Sequence, residues 1–290
     1  MSATRARLNK VEPTLADAPA DPSRRVVLSV PPHFALTRAA LEQEFGEAVS
    51  VDGLTGAWFI FQRARGHRHS VDDVLTAHYA LEVSPQVTTH LDLGAGIGTV
   101  GLLVLWGMPE DARLTAVEAQ TTSYRLLVAN VSDNGLAARV HPLLGDLREL
   151  TLQERFPLIT GSPPYFPVSA GIVPQDSQKA HARFELRGDV SDYAKAAARL
   201  LSAEGWFVFC FPTPQRQRAL TAVATAGLRV TRQRDVIPRA GLAPLFSLFA
   251  CRHASLAGDS VEDPPLVVRS ADGALTESML GVRRRFGFAV

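Results

Sequence analysis

Short apolar runs alternate with helical patterns through the middle of the chain, and this alternation restricts the possible fold more than any other feature. Runs typical of buried strands cover residues 89–93, 113–117, 139–144, 156–160, 206–211, 228–237 and 245–251. Consecutive parallel strands need long crossover connections, which helices supply with right-handed geometry. The sequence therefore predicts a doubly wound α/β domain over residues 67–253, with a mostly parallel seven-stranded sheet whose last two strands are antiparallel at one edge.

The segments on either side of this domain are shorter and differ in composition. They are predicted as a disordered, polar tail (residues 1–25), a small N-terminal cap (26–66), and a linker with a C-terminal tail (254–290). In the cap, a helical pattern covers 34–45, and a hairpin pattern covers 48–63 with its turn at Asp52–Gly53. The C-terminal segment has the pattern of one more strand at 265–269.

The composition restricts the partners and the compartment. The 290-residue chain has a formal net charge of +1, so no global field points to a nucleic acid or to a membrane surface. Its two cysteines, Cys210 and Cys251, lie in apolar runs that predict buried thiols, and no Cys/His pattern for zinc is present. No apolar stretch is long enough to span a bilayer, and the N-terminus lacks the apolar core of a signal peptide. We expect a cytoplasmic protein that binds neither a membrane nor a metal.

A glycine-rich turn, Gly94–Gly98, joins the first strand of the domain to the helix that follows it. Glycines let the backbone approach a ligand closely, and a helix N-terminus offers free N–H donors. The glycines within residues 96–101 also fit the G-x-G-x-x-G pattern of dinucleotide-binding proteins. In that pattern the first glycine directly follows an apolar strand, whereas here Gly94 precedes it and Asp92 stands in the strand end. The turn therefore favours a cofactor other than a nicotinamide dinucleotide.

Acidic residues stand at the ends of the first three strands, at Asp92, Glu118 and Asp146. The carboxyl ends of parallel strands meet at one edge of an open sheet, where ligands bind. A carboxylate such as Glu118 can accept both hydroxyls of a ribose, and Asp146 can accept the exocyclic amine of an adenine. A single acid at a strand end is more often a solvated loop residue or a helix cap. Three acids around one glycine turn favour a nucleoside-containing cofactor.

A second motif, Ser162-Pro163-Pro164-Tyr165-Phe166, follows the fourth strand. Prolines donate no backbone hydrogen bond and hold the chain extended, so the strand ends here and the chain leaves the sheet at a fixed angle. A Pro-Pro pair alone is often only a strand terminator. A rigid loop that carries a small polar and an aromatic side chain at the carboxyl end of a strand is also where open α/β sheets place their chemistry.

These motifs occur in an order and spacing that resembles the class I S-adenosylmethionine-dependent methyltransferases that methylate amino groups. More narrowly, the chain looks like the bacterial family that methylates the exocyclic N6 of an adenine next to the anticodon of a valine tRNA. The supporting segments lie at residues 61–75, 181–185 and 264–268, and the resemblance covers roughly residues 57–283. It implies a Rossmann-like methyltransferase sheet, S-adenosyl-L-methionine as the cofactor, and RNA, most specifically tRNA, as a partner.

The resemblance also implies roles for the matching residues. The implied cofactor-binding residues are Asp72, Asp92, Gly94, Ala95, Gly96, Glu118 and Asp146. The implied catalytic residues are Ser162, Pro163 and Tyr165, and the implied substrate-binding residues are Pro164, Phe166 and Arg183. Ser162 and the Pro163 carbonyl would accept hydrogen bonds from the target amine, and Tyr165 would stack on the target base. The sulfonium of the cofactor is already activated, so no metal is expected.

One position departs from the family pattern, which usually has Asn where this chain has Ser162. Serine there is familiar in enzymes that methylate the exocyclic amine of cytosine, but those enzymes usually carry this loop before the glycine turn. The order in this chain favours an adenine-type enzyme, and the serine leaves the target base open. Two other functions also stay open: a protein glutamine N5-methyltransferase of the release-factor type, and a non-catalytic S-adenosylmethionine-binding module.

Overall fold

The structure is a computed structural model that describes residues 29–171 and 173–290. The predicted tail at residues 1–25 and the first three residues of the predicted cap lie outside the described residues. The helices are α1 (His33–Phe45), α2 (Val71–Val83), α3 (Thr99–Gly107), α4 (Thr121–Asp133), α5 (Ser177–Arg183), α6 (Val190–Leu200), α7 (Arg216–Thr225) and α8 (Glu277–Arg285). The strands are β1 (Val49–Gly53), β2 (Phe59–Arg63), β3 (Thr89–Leu93), β4 (Arg113–Glu118), β5 (Val140–Leu144), β6 (Phe156–Gly161), β7 (Leu201–Pro212), β8 (Leu228–Ile237), β9 (Phe246–His253) and β10 (Val261–Val267).

The strands from β3 onward form one sheet in the order β10-β8-β9-β7-β6-β3-β4-β5. The pairs β3–β4, β4–β5, β3–β6 and β6–β7 are parallel, and β9 runs antiparallel to both β7 and β8. Helices cover both faces, with α2, α3, α4 and α8 contributing to one apolar core and α6 and α7 to the other. The doubly wound, mostly parallel α/β fold expected from the alternation of strands and helices is confirmed.

The sheet of the described residues has eight strands, one more than the seven predicted. The additional strand is β10, which overlaps the strand pattern at 265–269, pairs in parallel with β8 and buries Leu266. The chain then continues into α8, where Phe286 is fully buried and its carbonyl accepts a hydrogen bond of 2.8 Å from the Gly56 backbone. The segment from residue 254 onward therefore packs on the sheet through Leu266 and on the cap through Phe286, and is not only a linker and tail.

The N-terminal helix and hairpin pack on α4. The predicted hairpin is present, but its turn is not at Asp52–Gly53, which pair with the second strand. The chain turns instead at residues 54–58, where the Leu54 N–H donates to the Trp58 carbonyl at 2.8 Å. Asp52 stays in the strand because its carboxylate accepts hydrogen bonds from Gln62 and Arg68. A side-chain network thus outweighs the usual preference of Asp-Gly for a turn.

The parallel orientation of β3, β4, β5 and β6 places their four carboxyl ends at one edge of the sheet. β3 lies between β4 and β6, so the chain reverses its direction of winding at β3. Open α/β sheets bind ligands outside the carboxyl ends of the strands at such a switch point. The glycine turn follows β3, Glu118 ends β4, Asp146 follows β5, and the Ser-Pro-Pro-Tyr loop follows β6. Within the described residues, no helix is long and apolar enough to cross a membrane.

Asn130 of α4 joins the cap to the sheet domain, and we expect its loss to reduce stability. The side chain is fully buried, its Oδ1 accepts from the Phe61 N–H at 2.7 Å, and its Nδ2 donates to the Ile97 carbonyl at 2.8 Å. Asn130→Ala leaves both backbone groups without a partner, at a cost of about 1–3 kcal/mol for each. Urea denaturation measures the change in the free energy of unfolding. Thr121→Ala, at the exposed start of the same helix, is the control and should change it by less than about 0.5 kcal/mol. Equal stability of the two variants would contradict this prediction.

Candidate functional site

A cavity of about 370 Å³ lies outside the carboxyl ends of β3, β4, β5 and β6. This volume is within the range of small-molecule sites, roughly 300–1,000 Å³. The cavity is lined by every residue that the sequence singled out: Asp72, Asp92, Gly94, Ala95, Gly96, Glu118, Asp146, Ser162, Pro163, Pro164, Tyr165, Phe166 and Arg183. Residues that are as far apart as 72 and 183 in the sequence thus meet at one place.

The glycine turn forms one wall of the cavity with backbone conformations that require glycine. Gly94 has a φ of 64° and Gly96 a φ of 58°, both in the left-handed region that other residues rarely adopt. A Cβ at Gly94 would overlap the hydroxyl of Tyr193. A Cβ at Gly96 would meet no other atom within 4 Å, so it would project into open space at a position that lines the cavity. The absence of a side chain at Gly96 leaves that space for a ligand.

The carboxylate of Glu118 is fixed against this turn. Its Oε2 accepts from the Gly96 N–H at 2.8 Å, and its Oε1 accepts from the Gln120 N–H at 2.7 Å. Burial raises the pKa of Glu118, although these hydrogen bonds act in the opposite direction. Each carboxylate oxygen can accept more than one hydrogen bond. Glu118 therefore keeps acceptor capacity for hydroxyl groups in the cavity.

Asp92 lines the cavity, but most of its hydrogen-bonding capacity is used within the protein. It is only 1% exposed, and it accepts from the Thr160 hydroxyl at 2.7 Å and from the Gly101 N–H at 3.0 Å. Burial raises its pKa to about 6. The neighbouring His90 donates to the Thr160 hydroxyl at 2.7 Å, and burial lowers the pKa of His90 to about 3, so its ring is neutral. Asp92 thus connects β3 to β6 and to the start of α3.

Asp146 lies at the opposite end of the cavity from the Pro-Pro loop, after β5. It accepts from Nε and Nη2 of Arg148 at 2.9 and 2.6 Å. These hydrogen bonds lower the pKa of Asp146, so the carboxylate is ionised at neutral pH. An ionised carboxylate is a strong acceptor for an N–H donor.

The Ser162 hydroxyl is buried and has no hydrogen-bond partner among the described residues. Buried hydroxyl groups in folded proteins nearly always have partners, so an unpaired one at a cavity wall points to a ligand. Pro163 and Pro164 are both buried, and neither has a backbone N–H that could reach the hydroxyl. The loop therefore presents acceptor oxygens to the cavity without competing backbone donors.

Tyr165 points its hydroxyl into the protein. The hydroxyl donates to Asp72 Oδ2 at 2.7 Å and lies 3.2 Å from the sulfur of Cys210, while the ring packs edge-on against Phe211. Burial raises the pKa of Tyr165 well above its ordinary value, so the hydroxyl stays protonated and can donate. Asp72 also accepts from the hydroxyl of Ser70, the residue that precedes α2. Asp72 thus contacts the aromatic residue of the Pro-Pro loop as well as lining the cavity.

Several residues that the sequence did not single out as site residues also line the cavity. They include His67, His69, Gln120, Ser123, Gln178 and Tyr193. Gln178 is 1% exposed, and its amide donates to the Ser123 hydroxyl at 3.1 Å. Tyr193 fits the apolar face of α6 and reads from the sequence as an ordinary core position. For Gln120, Ser123 and Gln178, the available signal in the sequence is a polar side chain at a position that becomes buried.

The residues present fit an adenosine-containing cofactor. The glycine turn leaves open space at Gly96, Glu118 retains acceptor capacity next to it, and the ionised Asp146 lies at the next strand end along the sheet. Hydroxyl donors of a ribose suit the first carboxylate and an amine donor suits the second.

The chain is similar to known methyltransferases. A family model described as "Methyltransferase small domain" matches residues 73–176, from the first turn of α2 to the residue before α5. A protein named tRNA1(Val) (adenine(37)-N6)-methyltransferase from Actinobacillus pleuropneumoniae is 26% identical over 198 residues, which cover 68% of this chain and 80% of the relative. A protein of the same name from Bacteroides thetaiotaomicron is 30% identical over 154 residues, 53% of this chain and 64% of the relative. A solved structure described as a predicted O-methyltransferase from Agrobacterium tumefaciens has a TM-score of 0.58 at 18% identity, covers 76% of this chain and 98% of its own, and shows the shared fold.

The hydrogen bond between Tyr165 and Asp72 is expected to couple the Pro-Pro loop to the start of α2. In a double-mutant cycle, Tyr165→Phe and Asp72→Asn each remove one partner, and the interaction free energy should be about 0.5–3 kcal/mol. Guanidinium denaturation of the parent, both single variants and the double variant measures this energy. Strictly additive losses would mean that the hydrogen bond does not connect the two segments. Tyr124→Phe, on the neighbouring α4, is the control and should show additivity with Asp72→Asn.

Proposed function

We propose that this chain is an S-adenosylmethionine-dependent methyltransferase that transfers a methyl group to an exocyclic amino nitrogen, specifically N6 of an adenine in tRNA. The main support for an amino group as the methyl acceptor is the buried Ser162 hydroxyl, which has no hydrogen-bond partner among the described residues. It lies in a loop whose two prolines have no backbone N–H to donate. The nucleic acid and the base are supported by the relatives named tRNA1(Val) (adenine(37)-N6)-methyltransferase. A tRNA substrate would place the protein in the cytoplasm.

The cofactor would lie along the strand ends from β3 to β5. Glu118 would accept hydrogen bonds from the ribose, Asp146 would accept from the adenine amine, and Gly96 would leave space beneath the ligand. When bound, S-adenosylmethionine supplies a methyl group on a sulfonium that needs no further activation. Asp92 would act mainly by holding the glycine turn and β6 in register, since its carboxylate is already used by Thr160 and Gly101.

The Ser-Pro-Pro loop would orient the amine. The lone pair of an aromatic amine is delocalised into the ring, which makes the nitrogen a poor nucleophile. Two acceptors aimed at its two hydrogens, the Ser162 hydroxyl and the Pro163 carbonyl, would favour a pyramidal nitrogen with a localised lone pair. Such a fixed polar arrangement accelerates a reaction chiefly by positioning and by stabilising developing charge. Tyr165, held by Asp72, would set the plane of the base.

The substrate is tested by supplying radiolabelled S-adenosylmethionine with tRNA transcripts, ribosomal RNA or a protein extract in separate reactions. The expected product is labelled N6-methyladenosine after digestion of the tRNA to nucleosides. Labelled cytosine would reassign the base, and labelled glutamine in protein would replace the RNA assignment by a release-factor type activity. No transfer to any acceptor would contradict the proposed function as a whole.

The cofactor assignment predicts that Glu118→Ala weakens S-adenosylmethionine binding. Loss of charge-assisted hydrogen bonds to the ribose should cost about 1.5–3 kcal/mol, roughly ten- to a hundredfold in affinity. Isothermal titration calorimetry measures the change, with Glu149→Ala as an exposed acidic control that does not line the cavity. We expect no binding of NAD to the parent protein. Tight NAD binding, or unchanged affinity in Glu118→Ala, would overturn the assignment.

The role of Ser162 predicts a loss of rate without a loss of cofactor affinity. Ser162→Ala leaves one amine hydrogen without an acceptor, and removal of one preorganised polar partner typically lowers the rate on the order of a hundredfold or more. Ser162→Asn restores an acceptor and should retain activity. Single-turnover methyl transfer to tRNA measures the rates, and calorimetry measures cofactor affinity. Ser169→Ala, exposed on the following turn, is the matched control. Transfer at the parent rate by Ser162→Ala would reduce the loop to a strand terminator.

A further inference from the structure

The mouth of the cavity carries the exposed ring of Phe166 next to Arg183, and Lys179 lies one helical turn before Arg183. Phe166 is 43% exposed although it directly follows the Pro-Pro-Tyr motif, and it lines the cavity. Lys179 and Arg183 lie four residues apart in α5, so their side chains project from the same side of the helix. We call Phe166, Lys179 and Arg183 the mouth surface.

Phe166 is held rigidly in spite of its exposure. Its backbone N–H donates to the Arg183 carbonyl at 2.9 Å, and its carbonyl accepts from the Glu185 N–H at 3.0 Å. The ring lies 5.7 Å from the ring of Phe184, which is buried. An exposed apolar side chain on a fixed backbone loses little conformational entropy when it binds a partner. The position therefore has the properties of a preformed contact rather than of a loose loop residue.

Phe166 and the preceding Tyr165 lie in different parts of the cavity. The Tyr165 hydroxyl is hydrogen-bonded inside the protein to Asp72, so its ring belongs to the inner part of the cavity next to the Ser162 hydroxyl. Phe166 lies outside that position, where the chain leaves the cavity towards α5. A planar group that stacks on Phe166 is therefore a neighbour of the group that reaches Ser162.

The two basic residues of the mouth surface have no acidic partner among the described residues, in contrast to the nearby Arg63 and Arg218. Arg63 pairs with Asp176 at 3.0 Å, and Arg218 pairs with Glu185 at 2.5 Å. No carboxylate of the described residues lies within 4 Å of the charged groups of Lys179 or Arg183. Burial lowers the pKa of the nearby His67, which lines the cavity, and the charges of Arg183 and Lys179 act in the same direction, although Asp72 acts in the opposite one. The acids near α5 are thus used elsewhere, and two positive charges remain available to a ligand.

We propose that the mouth surface binds the nucleotide adjacent to the target base in a single-stranded stretch of RNA. The base of that nucleotide would stack on Phe166, while its flanking phosphates would contact Lys179 and Arg183. Stacking platforms next to cations are how proteins hold single strands with little sequence preference. This inference rests on the proposed function and adds to it a requirement: the target lies in an unpaired region whose neighbouring base is free to stack. A glutamine side chain in a protein substrate would offer neither an aromatic ring nor a phosphate.

The stacking contact is tested with a short fluorescent RNA that carries one adenine between pyrimidines, and with two versions that have an abasic residue on its 5′ or 3′ side. Phe166→Ala should weaken binding of the intact RNA by about 5- to 150-fold, the range for loss of one stacked base. The abasic RNA that lacks the stacked base should bind the parent protein more weakly than the intact RNA does, by a similar factor. The Phe166→Ala variant should bind this abasic RNA and the intact RNA with equal affinity. Phe166→Trp keeps an aromatic ring at this position and should bind the intact RNA with the affinity of the parent protein. Leu36→Ala, 79% exposed on α1, is the control for removal of an exposed apolar side chain.

The ionic contacts are tested through the salt dependence of the same binding. Lys179→Gln combined with Arg183→Gln should reduce the magnitude of the negative slope of log association constant against log salt concentration by about 1.4, since each phosphate contact on a single strand contributes about 0.7. Phe166→Ala should leave that slope unchanged. Lys195→Gln, 59% exposed on α6, is the charge control and should not change it.

The outcomes separate this inference from the proposed function. If the parent methylates adenine in tRNA, yet Phe166→Ala and the abasic substitutions act additively, the stacked base lies elsewhere and the inference is wrong while the function stands. If the salt dependence of binding is unchanged in the Lys179→Gln, Arg183→Gln double variant, these two side chains do not contact the phosphates, and this part of the inference is wrong while the function stands. If the parent neither binds the RNA nor methylates tRNA, both the inference and the RNA assignment fall.

Discussion

The buried carboxylate of Asp92 holds the two halves of the sheet in register at the point where the winding changes direction. It accepts one hydrogen bond from Thr160 in β6 and one from Gly101 in α3. A Cβ at Gly101 would lie 2.9 Å from the Asp92 carboxylate, so only glycine allows the helix to approach this closely. The glycine turn and the Ser-Pro-Pro loop begin directly beyond these two strands. The network thus adds side-chain hydrogen bonds to the backbone pairing that holds these two strand ends together.

This arrangement has an electrostatic cost that the fold tolerates. Burial raises the pKa of Asp92 to about 6, so ionisation is harder in the folded protein than in the unfolded chain. The stabilising contribution of this group is therefore complete below the pKa of an exposed aspartate, about 3.9, and is lost as pH rises through about 6. Glu118 has its pKa raised by burial in the same direction. Buried acids at a cavity are common where a protein prepares a site for a polar ligand.

The parts that lie outside the predicted domain support the site from a distance. The N-terminal hairpin is attached to α4 through Asn130, which also donates to the carbonyl of Ile97 in the glycine turn. The C-terminal segment completes the far edge of the sheet as β10 and covers α2 through α8. α2 carries Asp72, and Asp72 accepts a hydrogen bond from Tyr165 of the Ser-Pro-Pro-Tyr loop. The packing of α8 on α2 therefore helps to hold this loop in place.

The sequence by itself determined the α/β class, the order of the motifs and part of the cavity lining, because glycine, proline and strand-end acids act through local geometry. The resemblance to a known family, and not local geometry, indicated Asp72, Phe166 and Arg183. The sequence also located β3 to β9 to within two residues, except for the start of β7, which begins at Leu201 and not at 206. Only the tertiary structure decided which groups those residues contact. Asp72 holds Tyr165, Asp92 is used inside the protein, and Gln178 and Tyr193 enter the site from helices whose patterns show only amphipathicity. The place of β10 at the edge of the sheet and the turn at residues 54–58 were likewise decided by packing and side-chain networks. Such contacts join residues that are distant in the chain, and no local pattern records them.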